Sequence, residues 1–119
     1  MEPALAVAAM SALAHEGRLA VFRELVQAGP DGLAAGALAR RLGVAPATLS
    51  NSLTVLSHAD LVAARREGRS IIYRARYDRM SALLGFLLQD CCKGAPEVCA
   101  PLGDIVGQAG RCGDPGRSA

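Results

Sequence analysis

Three of the four cysteines lie within nine residues: Cys91, Cys92 and Cys99. Gly94 and Pro96 between them let the segment bend back on itself, and Cys112 stands apart. Successive side chains on a regular helix diverge by about 100°, so a helix carrying Cys91 and Cys92 must loosen before both can face one point. Three convergent thiolates make a soft, three-coordinate pocket, which selects thiophilic ions over magnesium or calcium. Structural zinc prefers four ligands, commonly as two closely spaced pairs. Here there is no second pair, and His15 and His58 are far away in sequence. Trivalent arsenic or antimony, with a lone pair and three bonds to sulfur, matches three cysteines better. A reactive thiol pair for redox sensing and small buried hydrophobes are the other readings of the same residues.

A different kind of chemistry is written into Pro46-Ala47-Thr48-Leu49-Ser50-Asn51-Ser52-Leu53-Thr54-Val55-Leu56. Leu49, Leu53 and Leu56 recur at helical spacing as a buried stripe. Thr48, Ser50, Asn51, Ser52 and Thr54 are uncharged and short, suited to a helix lying close against something polar. Before it, Leu38 to Val44 reads as the end of another helix, with Gly43 as its stop and Pro46 as the first residue of the next. Helix, glycine turn, helix is the helix-turn-helix pattern, whose second helix enters a DNA groove. Asn51 is suited to a bidentate contact with adenine.

The elements around these segments follow from period and punctuation. Helices are expected at Pro3 to Leu13, at Gly17 to about Ala28, at Leu33 to Leu42, at Pro46 to about His58, and from Met80 to about Asp90. The fourth lacks a good N-cap, because Ala45 offers no acceptor. Leu61 to Arg66 and Ser70 to Arg76 flank Glu67-Gly68-Arg69 with the two-residue period of strands, so a β-hairpin is expected between the fourth and fifth helices. This makes a mainly helical winged helix-turn-helix. Arg65, Arg66, Arg69 and Arg74 on the wing are expected at phosphates or in the minor groove. The first and fifth helices carry apolar stripes that a small monomer cannot easily bury. They are therefore expected to form a homodimer interface, with an intramolecular core contact as the alternative. Residues 1–90 then form the DNA-binding and dimerisation domain, and residues 91–119 a cysteine-containing tail whose glycine-rich end is expected to be poorly ordered.

Composition is consistent with this plan. Hydrophobic residues make up 51% of the 119 but aromatics only 3%, which favours closely packed helices of Ala, Leu and Val. The net charge is only +2, yet it is unevenly placed. From Arg40 to Arg79 eight arginines oppose Asp60, Glu67 and Asp78, a net of +5, which leaves −3 elsewhere. A basic centre between acidic flanks is expected where only the middle of a chain meets phosphate. Arginine in all eight positions favours bidentate phosphate contacts. Pro3 to Ala14 is apolar, but it lacks the positive n-region of a signal peptide and is too short to span a bilayer. A cytoplasmic protein with reduced thiols is expected. No nucleophile triad, phosphate loop or carboxylate pair suggests an enzyme.

Ala12 to Leu19, Leu38 to Val44, Leu49 to Leu53 and Glu67 to Tyr73 together resemble the winged-helix repressors of the ArsR/SmtB family. The resemblance covers roughly the first ninety residues, and the Cys-Cys-x6-Cys tail is similar to the arsenite-responsive branch. It implies a homodimer that binds double-stranded operator DNA and is released when As(III) binds Cys91, Cys92 and Cys99. Two features of the family are missing. Leu33 to Leu42 lacks the Cys-x-Cys box of well-known arsenic repressors, and the stretch from Asp78 to Asp90 lacks the histidine of the zinc and nickel sensors. A thiol-redox or zinc-responsive repressor of the same fold is the competing expectation, ahead of a helical dimerisation module that never meets DNA.

Overall fold

The computed structural model describes residues 1–88. In chain order these are α1 (Pro3–Leu13), α2 (Glu16–Ala28), β1 (Leu33–Ala34), α3 (Ala35–Leu42), α4 (Pro46–His58), β2 (Val62–Glu67), β3 (Ser70–Ala75) and α5 (Tyr77–Leu88). The tail expected from residue 91 and all four cysteines lie outside the described residues.

Small residues set the packing of α1. Ala6, Ala9 and Ala12 recur every third position and are all buried. With only a methyl group on that face, the helix approaches α2 and α4 closely. The break into α2 is held from both sides. His15 adopts an extended conformation and its Nδ1 accepts from the Gly17 N–H at 3.1 Å, an N-cap made by imidazole. Arg18, in the first turn of α2, donates back from Nε to the Ala12 carbonyl at 2.6 Å and from Nη2 to the Ser11 carbonyl at 3.3 Å. Two of the carbonyls left open at the end of α1 are thereby satisfied.

One expected element is corrected. The third helix does not begin at Leu33. Leu33 and Ala34 form a short strand that pairs antiparallel with β3, Leu33 opposite Tyr73 and Ala34 opposite Ile72, and α3 starts only at Ala35. The sheet therefore has three strands in the order β1-β3-β2, so the hairpin is joined to the body of the molecule through β1. The cause lies at Gly32, whose φ is +75°. A Cβ there would collide with the Tyr73 backbone carbonyl, so only glycine lets the chain come this close to β3.

The helix-turn-helix corner follows the expected signals. Gly43 ends α3 in the left-handed region, its N–H bonded to the carbonyls of Ala39 and Arg40, and Pro46 opens α4 without a side-chain cap from Ala45. Leu25, Leu38, Leu49, Leu56 and Leu61 are the largest fully buried side chains, one or two from each of α2, α3, α4 and the start of the wing. At α5, the Tyr77 hydroxyl donates to the Val26 carbonyl at 3.0 Å and ties the helix to α2. Burial pushes the Tyr77 phenol above its ordinary value. No single helix among the described residues is long and apolar enough to cross a membrane.

Candidate nucleic-acid interface

Helix α4 presents two faces, as its leucine spacing requires. Leu49, Leu53 and Leu56 are at most 2% exposed and anchor the helix on the core, against α2 and α3. Thr48, Ser50, Asn51 and Thr54 are exposed on the outer side. The Thr54 hydroxyl donates to the Ser50 carbonyl at 2.9 Å, which leaves its oxygen lone pairs facing out. Ser52 corrects the sequence-based expectation, since it is only 9% exposed. It lies three residues after Leu49 and four before Leu56, inside the apolar stripe, so it cannot read DNA as its polarity implied.

The wing arginines do not form one group. Register places Ala63 opposite Arg74, Ala64 opposite Tyr73, Arg65 opposite Ile72 and Arg66 opposite Ile71, with Gly68 at φ +62° in the turn. Side chains alternate along strands and cross-strand partners share a face. Arg66 therefore shares the face of Ala64 and Tyr73, and both of these residues line a depression with Leu53, Thr54, Ser57 and His58 of α4. Arg65 and Arg74 lie on the opposite face. Arg65 is also committed within the protein, donating to Glu67 at 2.6 Å and to the Asp31 carbonyl at 2.9 Å. Arg66 reaches only the Gly68 carbonyl, at 3.4 Å. Arg69 and Arg74 make no ion pair with another described residue.

Internal ion pairs also thin the basic centre of the chain. Arg41 pairs with Glu24 at 3.0 Å, Arg76 with Asp78 at 2.8 Å, and Arg79 with Asp60 at 2.9 Å. Asp60 sits in the left-handed region at φ +61°, at the corner where α4 gives way to the wing. The side-chain hydrogen bond from Arg76 is the main reason the Asp78 carboxyl titrates below its ordinary value. Among the described residues, Arg40, Arg66, Arg69 and Arg74 are the basic-centre arginines without an ion pair. Arg40 was not among the DNA-contacting residues expected from the motif. It is exposed on α3, its guanidinium folded back toward Gly36, close to the Ala34-Ala35-Gly36 depression that Arg69 and Ser70 also line. Its position in the helix preceding the turn was the available signal.

For metals, no group of three or more His, Cys, Asp and Glu side chains comes together among the described residues. His15 serves as a helix cap, and His58 ends α4 exposed on the surface.

This arrangement can be compared with known proteins. A family model described as a helix-turn-helix domain matches residues 13–65. The nodulation protein NolR of Rhizobium meliloti is 34% identical over 83 residues, covering 70% of this chain and 66% of NolR. The biofilm growth-associated repressor of Agrobacterium fabrum is 35% identical over 88 residues, covering 74% of this chain and 71% of that protein. Among solved structures, the ArsR-like transcriptional regulator from Rhodococcus sp. RHA1 superposes with a TM-score of 0.65 at 26% identity, over 86% of this chain and 92% of the other. The chain belongs to the ArsR-like family of winged-helix transcription regulators. The homodimeric winged helix-turn-helix DNA-binding domain of Mb0332 from Mycobacterium bovis is also similar, with a TM-score of 0.58 and 31% identity over 72% of this chain and 80% of the other. For this ArsR-like regulator, α4 is thus the recognition helix and β2–β3 the wing.

Proposed function

We propose that this ArsR-like regulator is a homodimeric repressor that holds operator DNA and leaves it when trivalent arsenic binds Cys91, Cys92 and Cys99. The observation that carries the DNA-binding half is the exposed, uncharged face of α4 together with basic-centre arginines that make no ion pair among the described residues. Thr48, Ser50, Asn51 and Thr54 supply short donors and acceptors for base edges, while Arg66, Arg69, Arg74 and Arg40 supply charge for phosphates. Dimerisation is supported by apolar surface on two helices. Leu5, Val7 and Met10 of α1 and Leu84 of α5 are between 39% and 58% exposed, a cost in water that a second copy removes.

The inducer half rests on the cysteines. Thiolates bind As(III) or Sb(III) after losing their protons, so binding weakens at low pH. An ion lowers DNA affinity only by favouring a dimer arrangement that DNA does not. The three cysteines follow soon after α5 in sequence, so an ion there is coupled through a helix assigned to the dimer interface. Half-sites lie about 34 Å apart, which tolerates little change in the spacing of two recognition helices.

The test is operator binding by Cys→Ser variants with and without arsenite, antimonite, zinc and a thiol oxidant. Cys91→Ser, Cys92→Ser and Cys99→Ser should bind operator normally and stay bound in arsenite, while Cys112→Ser should behave as the parent. If Cys91→Ser still leaves DNA at the parent's arsenite concentration, the tail is not the sensor. Release by oxidant or zinc alone would assign the thiols to redox or zinc sensing.

A further inference from the structure

Tyr73 of β3 stands where three depressions meet: Ser50 of α4 lines the first, Arg69 and Ser70 of the wing line the second, and Thr54 of α4 lines the third. Its ring is half-buried and packs against the hydrophobic core. The hydroxyl is placed unlike that of Tyr77, which donates to the Val26 carbonyl. Among the described residues the Tyr73 hydroxyl has no hydrogen-bond partner. Nor is it sealed from water, because Arg79 Nε is the only described side-chain nitrogen or oxygen of a non-exposed residue that is both buried and unpaired. A ring anchored in the core therefore carries a free hydroxyl to the surface, the amphipathic arrangement that suits an interface.

We infer that this hydroxyl donates to a phosphate of the operator strand that borders α4 on the side of the wing, a contact that rests on the DNA-binding reading above. Position selects phosphate over base. A helix in the major groove turns its outer side to the base edges and its flanks to the sugar-phosphate walls. Ser50 lies about 100° round α4 from the buried Leu49 and so on a flank, with Thr54 one turn further on, while Asn51 lies about another 100° round and faces out. Tyr73 lines depressions with Ser50 and Thr54 and none with Asn51, so it stands beside the flank. Arg69 on the wing side brings a cation without an ion pair to the same place, which favours an anion there. Tyrosine hydroxyls are among the donors that hold phosphate oxygens and fix a protein's register on a duplex. None of the residues lining these depressions belongs to α1 or α5, so the hydroxyl lies outside the surface assigned to dimerisation.

Anisotropy titrations of the full chain on labelled operator and on a scrambled duplex at low salt test this contact. Tyr73→Phe should weaken binding to both duplexes about tenfold, since each half of the dimer loses a hydrogen bond to a charged group. Its salt slope should stay within a few tenths of the parent's, because no charge is removed. Its urea midpoint should not move, because the hydroxyl has no partner inside the protein. Tyr77→Phe is the counterpart, expected to lose stability and keep DNA affinity. Phosphate-ethylation interference should show one position per half-site that weakens the parent and no longer weakens Tyr73→Phe. A Tyr73→Phe chain that binds both duplexes as the parent does would overturn the inference and leave the DNA-binding reading standing. A loss confined to the operator would overturn it by assigning the hydroxyl to a base edge, and a fall in the urea midpoint that accounts for the lost affinity would overturn it by assigning the hydroxyl to the fold. A parent chain that binds neither duplex would overturn both readings.

Discussion

Substituting wing and corner arginines one at a time should separate those that meet phosphate from those that hold the fold. Arg69 has no ion-pair partner among the described residues, while Arg79 sits 2.9 Å from Asp60 and Arg65 2.6 Å from Glu67. Each phosphate neutralised contributes about 0.9 to the slope of log K against log salt. A dimer carries two copies, so Arg69→Ala should flatten the slope by about 1.8 units. Between 50 and 200 mM salt, a fourfold change, the parent should therefore lose about 12-fold more affinity than the variant. Arg79→Ala should leave the slope within a few tenths of the parent, and its effect should appear as lost stability, because Asp60 at the start of the wing loses its closer partner and keeps only Arg76 at 3.8 Å. Arg65→Ala should fall near Arg79→Ala. Fluorescence anisotropy on a labelled operator at four or five salt concentrations, paired with urea denaturation, provides both readings. If Arg79→Ala and Arg65→Ala flatten the slope as much as Arg69→Ala, internal pairing does not decide which arginines reach DNA.

Four further outcomes are expected. Asn51→Ala should weaken specific operator binding by about 1–3 kcal/mol with nonspecific binding unchanged, whereas Ser52→Ala should leave sequence discrimination intact; mobility-shift titrations on operator and scrambled DNA compare them. Gly32→Ala should cost about 1–3 kcal/mol in urea denaturation, since it strains a positive φ and drives a methyl group against the Tyr73 carbonyl. Tyr77→Phe should cost about 1 kcal/mol by removing the bond to Val26. The phenol's folded value is raised, so the stability tied to its protonated form is complete below the unfolded value near 10 and is lost as pH rises through the folded one. Denaturation midpoints of parent and variant measured from pH 8 to 11 should therefore converge at the alkaline end.

Most of the helical frame was legible in the sequence because it depends on local chemistry. The 3.6-residue spacing of Leu49, Leu53 and Leu56, the stop at Gly43 and the proline start at Pro46 act within a turn or two of chain, and each fell where it was expected. The alternation around Ile71 and Tyr73 likewise announced a hairpin. Tertiary structure decided what depends on residues far apart in sequence. Leu33 and Ala34 are a strand because β3, some forty residues later, offers them partners, and Gly32 permits the approach. Ser52 has the polarity of a DNA-reading residue, but its angular position between Leu49 and Leu56 turns it inward. Eight arginines counted along the chain looked like one basic field. The fold brings Glu24 against Arg41 and Asp60 against Arg79, seventeen and nineteen residues apart in sequence, and turns Glu67 and Asp78 onto their near neighbours Arg65 and Arg76, because ion pairs form by proximity in space, which a one-dimensional charge count does not contain.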